Sequence, residues 1–310
     1  MTARIEVHGL GKHFGDRVAV QGLSFDVRAG EVFGLLGPNG AGKTTTVRML
    51  TGLLRPSSGS ARVCGHSVGG EGDGEALRRS VGLLTEQPGL YDRLTARENL
   101  SFFMRLNELD EAQAWPRAQG YLRRFGLAGR EYEACGSYSK GMRQKLAIVR
   151  ALVHDPEVLF LDEPTSGLDP EAARTVRDSV AELAADGRTI VLCSHNLAEV
   201  ERLCGRVAVV RTSLLAEGPV SVLRRRGLVL EVRVEGEGRR AGAALAAVPG
   251  VTWTANGPLL RITLGDEHQG PDVVAALVHF GARVHSVSHS ERSLEDVYLE
   301  LVRDEPSEAA

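Results

Sequence analysis

Residues 37–45 read GPNGAGKTT and directly follow the apolar run EVFGLL at 31–36. A glycine-rich turn between a strand and a helix, closed by Lys and Thr, suits phosphate. The glycines let the backbone wrap its N–H groups around the anion, Lys43 brings a point charge to the β and γ oxygens, and the Thr44 hydroxyl can ligate Mg²⁺. Gly37, Pro38, Asn39, Gly40, Ala41, Gly42, Lys43, Thr44 and Thr45 form the expected segment for a nucleoside triphosphate.

The surrounding pattern supplies a matching frame. From Arg4 to about Leu223, apolar runs such as EVFGLL, SVGLL, EVLFLD and TIVLCS alternate with helical periodicity, which predicts an α/β domain rich in parallel sheet. A helical insert is expected from Thr95 to about Val153, and Thr95 with Glu98 forms a capping box at its first helix. After RRRG at 224–227 the texture changes. Strand, helix, strand, strand, helix, strand follow, a ferredoxin-like order closed by a helix around SLEDVYLELV. The expected division is therefore 1–223, with the insert at 95–153, then a small α+β domain at 228–303 and a tail at 304–310.

Composition bears mainly on partners. With a formal charge of -3 over 310 residues, nucleic acid is not expected as the main partner, and the Arg224–Arg226 cluster reads as a solvated face. No run approaches a membrane span, and the N-terminus lacks the layout of a signal peptide, so a cytoplasmic chain is expected. Cys64, Cys135, Cys193 and Cys204 show neither a C-x-x-C pair nor zinc spacing, and read as reduced core residues.

Two further stretches carry chemistry. In EVLFLDEP the acids Asp162 and Glu163 emerge at the end of an apolar strand, where Asp162 can hold Mg²⁺ through water and Glu163 can orient or deprotonate an attacking water. In GSYSKGMRQKLAIVRAL, at 136–152, Ser139 is placed to cap a helix whose free amides attract a second phosphate.

Taken together with SGLD at 166–169 and His195 after TIVLCS, these motifs resemble the ATP-binding subunits of ABC transporters over most of residues 4–223. The resemblance implies that Phe14 stacks on adenine, although an aromatic in isolation is more often core. It implies that His195 binds the γ-phosphate, that Asp169 contacts an opposite subunit, and that two chains form a head-to-tail homodimer. Ser139 and the amides near Gly141 would then close over the ATP held by the partner's phosphate loop. Two departures from the family pattern stand out. The usual L-S-G-G-Q is Tyr138, Ser139, Lys140, Gly141, Met142 here, and a usual glutamine touching Mg²⁺ and water aligns with Glu86, with Gln87 as the alternative.

PGLYDRLTARENL, YSKGM and SLEDVYLEL look like the stand-alone subunits of exporters for drugs, antibiotics, lipids or polymers. Such subunits act on the cytoplasmic face of the membrane through a separately encoded permease, whose docking contacts are expected among Tyr91, Leu94, Phe102 and Phe103. An importer subunit is the alternative reading, and a soluble non-transport ABC ATPase a further one. The long heptads of a chromosome-maintenance ATPase and the second phosphate loop of a tandem translation ATPase are both missing from this sequence.

Overall fold

The computed structural model describes residues 3–70, 72–224, 228–290 and 293–303, in two compact units that divide between Gly218 and Pro219. The first unit begins with β1 (Ala3–Phe14), β2 (Arg17–Arg28), β3 (Val32–Leu36), α1 (Lys43–Leu50), β4 (Ser58–Val63), β5 (His66–Ser67), α2 (Gly74–Ser80) and β6 (Val81–Leu84). Three insert helices follow: α3 (Ala96–Leu106), α4 (Glu111–Arg124) and α5 (Lys140–Leu152). The unit closes with β7 (Val158–Asp162), α6 (Pro170–Ala185), β8 (Thr189–Ser194), α7 (Leu197–Leu203), β9 (Arg206–Arg211) and β10 (Ser213–Pro219).

A six-stranded sheet in the order β10-β9-β3-β8-β7-β6 forms the centre, parallel from β9 through to β6. Strands β3, β7 and β8 are buried at every position, which is why VFGLL, VLFLD and TIVLCS are unbroken apolar runs rather than alternating ones. Adjacent register sets Leu36 beside Ser194 and Asp162 beside Cys193. The loops leaving β3, β7 and β8 therefore emerge side by side at one edge, the usual ligand edge of an open parallel sheet.

A second, antiparallel sheet in the order β2-β1-β4-β5 completes the unit, its core side carried by Ile5, Val7, Val20 and Phe25, with Phe25 stacked on Phe33 of the central sheet at 5.3 Å. The Thr95 capping box forms as expected, with Glu98 N–H donating to the Thr95 hydroxyl and the Glu98 carboxylate accepting from Thr95 N–H.

The second unit holds α8 (Val220–Arg224), β11 (Leu228–Val234), α9 (Gly238–Gly242), β12 (Thr252–Asn256), β13 (Leu259–Leu264), α10 (Gly270–His279), β14 (Val284–Ser290) and α11 (Leu294–Arg303). Its antiparallel sheet runs β12-β13-β11-β14, the ferredoxin-like arrangement expected from the sequence. Leu230, Val232, Leu260, Ile262, Val273 and Leu277 form its core.

Two details differ from the sequence reading. The helix expected across AGAALAAVPG is a short α9 running into a 3₁₀ turn at Ala243–Ala247, and the Trp253 ring lies so close to Gly242 that a Cβ there would meet it at 2.5 Å. The segment 220–224, expected to belong largely to the first region, is instead α8, which packs against α11 with Val220 and Leu223 buried. Arg225, Arg226 and the tail at 304–310 lie outside the described residues.

Candidate nucleotide site

The turn after β3 begins where space is tightest. A Cβ on Gly37 would sit 2.3 Å from the Val210 carbonyl oxygen, and Gly42, at φ 92°, would bring a Cβ to 2.5 Å from the Ala19 oxygen. Only glycine satisfies both the left-handed backbone and the close approach. The turn delivers Lys43 to the start of α1, where its Nζ donates to the carbonyls of Gly37 at 2.6 Å and Pro38 at 3.1 Å.

The resulting cleft has a volume of about 390 Å³. Its walls include Pro38 through Thr45 from the turn and the start of α1, Asp162 at the end of β7 with Glu163 just after it, His195 just after β8 and Glu86 from beyond β6. These residues, far apart in the chain, meet because the four parallel strands are neighbours.

Thr44 Oγ1 donates to Asp162 Oδ2 at 2.8 Å, and Asp162 Oδ1 is buried without a hydrogen-bond partner. Burial pushes the Asp162 carboxyl pKa up from its ordinary value, with the Glu163 and Glu86 carboxylates adding to it and the Thr44 hydroxyl and Lys43 opposing it. An orphaned carboxylate oxygen beside a hydroxyl suits Mg²⁺, which takes one or two protein oxygens and completes its shell with phosphate and water. Among the described residues no cluster of three or more His, Cys, Asp and Glu forms a self-sufficient cation cage.

Glu163 adopts φ 50°, left-handed and unusual for a residue with a side chain, while its N–H donates to the Cys193 carbonyl at 2.8 Å. Its Oε1 accepts from the His195 backbone N–H at 3.0 Å and lies 2.8 Å from the ring Nδ1. The local strain thus aims a carboxylate along the cleft and locks it to the end of β8. Beneath it, the buried Glu199 accepts from Thr165 at 2.9 Å and from Ser194 at 3.3 Å, and burial raises its pKa.

Five expected site residues do not line this cleft, and Gly37, at the start of the turn, is one of them. Phe14, half exposed at the end of β1, has the Lys12 ammonium 5.3 Å from its ring centroid, and its neighbours across the hairpin, Arg17 and Ala19, form the wall instead. Ser139 caps α5 by accepting from Met142 N–H at 3.2 Å, and Asp169 caps α6 through Glu171 and Ala172. Gly141 sits against α6, where a Cβ would meet that of Ala172 at 2.8 Å. Lys140 lies across Gly167, within the same chain.

Glu86 borders both the main cleft and an adjoining hollow with Thr44 and Asp162, whereas Gln87 borders only the hollow. Nothing in the local sequence pattern marks Arg17, Ala19 or the buried Glu199, and Ser166, also in the wall, stands out only as part of SGLD.

A glycine-rich loop at the C-terminal edge of a parallel sheet, with Lys, Thr and two strand-end acids, defines a P-loop nucleotide-binding protein. The profile of the ABC transporter family matches residues 20–166. The daunorubicin resistance ATP-binding protein DrrA3 of Streptomyces coeruleorubidus is 40% identical, covering 97% of this chain and 96% of its own. The Nod factor export ATP-binding protein I of Ralstonia nicotianae is 36% identical over 97% and 94%, and a fluoroquinolones export ATP-binding protein of Mycobacterium tuberculosis 39% over 91% and 87%. A solved ATP-binding subunit of an ABC transporter superposes with a TM-score of 0.66 at 34% identity, covering 72% of this chain and 92% of that one. The chain belongs to the ABC transporter family of ATP-binding proteins, and it is an ATP hydrolase. Among the described residues no helix is long and apolar enough to cross a membrane.

Proposed function

We propose that this chain powers export of a drug-like, lipid or polymeric substrate through a separately encoded membrane permease, by ATP-driven closure of two copies. The observation that carries the export reading is that relatives named for daunorubicin resistance, Nod factor export and fluoroquinolone export match across both units, not the ATP-binding unit alone. Within the cleft, the loop amides and Lys43 hold the phosphates, Thr44 and Asp162 hold Mg²⁺, and Glu86 approaches the same region. Bound Mg²⁺ supplies charge neutralisation for the phosphate oxygens. Glu163 orients the attacking water and accepts its proton, while His195 steadies that carboxylate and contacts the γ-phosphate.

What supports closure is that Ser139 and Gly141 sit at a capped helix end outside the cleft wall; their contact with phosphate is assigned to a second chain, with Asp169 at the same interface. Phe14 is assigned to adenine, the exposed Tyr91 and Phe102 to the permease, and the site of action to the cytoplasmic face of the membrane. In inside-out vesicles that hold the chain with its permease, ATP added outside should drive a fluorescent anthracycline into the lumen. ATP-driven release of preloaded dye from the lumen, or hydrolysis with no effect on any export substrate class, would contradict the export reading.

A further inference from the structure

Helix α5 starts at the Ser139 cap and carries two arginines about two turns apart on one face, Arg143 and Arg150. Both reach the loop between β6 and α3, the loop that brings Glu86 to the cleft. Arg150 Nη1 donates to the carbonyls of Pro88 at 2.7 Å and Gly89 at 2.9 Å. Arg143 Nη2 donates to Asp92 Oδ1 at 2.5 Å, and its Nη1 to the Cys135 carbonyl at 3.0 Å. The Arg150 guanidinium also lies over the Phe103 ring of α3, 4.8 Å from its centroid, and Phe103 meets Phe102 edge-on, as Phe102 meets Tyr91.

From Asp92 onward the loop is held by the main chain, with Gly136 N–H donating to the Asp92 carbonyl and Cys135 N–H to the Leu94 carbonyl, both at 2.9 Å; the part nearer Glu86 has fewer anchors. Thr85 donates to the Gln87 carbonyl within the loop, and Asn99 fixes Tyr91 from α3 by accepting from its N–H at 2.9 Å and donating to its carbonyl at 3.1 Å. Between those points, the hydrogen bonds from another element described in the structure are the two from Arg150. Gly89 itself is left-handed, at φ 60°, with the Arg150 guanidinium in van der Waals range of where a Cβ would stand.

We propose that Arg150 is a positioning residue for the nucleotide cleft, fixing the Glu86 loop by its Pro88 and Gly89 carbonyls and joining it to the helix that Ser139 caps. This rests on the reading of Glu86 as a cleft residue. A planar guanidinium can bond two carbonyls while stacked on an aromatic ring, and it remains charged when partly desolvated; the point charge of lysine does not reproduce that geometry. A displacement at the aromatic face over α3 then reaches the loop through one side chain.

The test uses the full chain with Arg150→Lys and Arg150→Met, following hydrogen–deuterium exchange of residues 85–91 against α1, with ATP affinity and turnover measured on the same samples. Loop exchange should rise about tenfold while α1 is unchanged. Turnover should fall about 10- to 100-fold, as for other small displacements of reacting groups, with ATP affinity within about twofold of the parent. Parent-like loop exchange, or ATP affinity falling in step with turnover, overturns the proposal. Should either variant fail to fold, Phe103→Leu removes the ring beneath the guanidinium and should loosen the same segment by a smaller factor; an unchanged segment again overturns it. A looser loop in Arg150→Lys with turnover intact refutes the link to the cleft and, if Glu86→Gln is also silent, places the fault with Glu86.

Discussion

Two helix N-termini in the first unit face opposite fates. At α1 the cap is Gly42, left-handed and without any side-chain hydrogen bond, and the backbone curls around a cleft with Lys43 folded into its floor. At α5 the cap is Ser139, extended, satisfying one amide with its own hydroxyl, and no wall of the cleft includes it. Both ends attract anions through their free amides. Only the first is enclosed by its own chain; under the proposed closure the second would serve as the lid of another chain's site. The lid carries its own charge as well, because Lys140 is laid across Gly167 beside the loop leading to Asp169.

The most forceful way to break this contrast is Lys43→Ala. With the buried cation gone, ATP binding should weaken by about 100-fold or more, measured by titration with a fluorescent ATP analogue, since a charge-assisted contact to phosphate is lost. Retained affinity would mean that the turn is not the phosphate site. Next in size, Glu163→Gln should keep ATP affinity and cut turnover by about 100-fold or more, the usual cost of losing a general base. Its near-normal hydrolysis, with a permease present, would return the carboxylate to a structural role beside His195. The smallest effect belongs to Glu86→Gln. One charge is removed near Thr44 and Asp162, so the Mg²⁺ concentration for half-maximal hydrolysis should shift a few-fold while ATP affinity holds. An unchanged Mg²⁺ titration would point to Gln87.

The α1 end was legible because its motif and its context say the same thing. An unbroken apolar strand, glycines, Lys and Thr appear in consecutive residues, and Asp162 and Glu163 end a second such strand. Register between β3, β8 and β7 then brings them together, which no local pattern states but parallel packing requires. What stayed hidden depends on contacts across the chain. Arg17 reaches the cleft only because a hairpin folds over it, and the antiparallel sheet that carries the hairpin has mixed burial along β1 and β2. The left-handed backbone of Glu163 and the hydroxyl contacts of Glu199 are likewise invisible in residue type. In the second unit the βαββαβ order was readable from alternation, whereas the seat of Gly242 against the Trp253 ring of the next strand was not.

The central claim is that the α5 end of one chain completes the α1 cleft of another. It is tested most directly in a Glu163→Gln background, where bound ATP persists, by mixing Lys43→Ala with Ser139→Arg. The first lacks a phosphate anchor, and in the second a bulky cation replaces the capping hydroxyl. Alone, neither should dimerise. Together they can form one intact composite site, with Lys43 and Ser139 supplied by different chains. Light scattering should then show ATP-dependent heterodimer at high protein concentration, and a photoreactive ATP bound to the Ser139→Arg chain should crosslink to residue 139 of the other. Nucleotide that crosslinks only within the chain that binds it, while the Glu163→Gln parent still dimerises, would contradict the shared site.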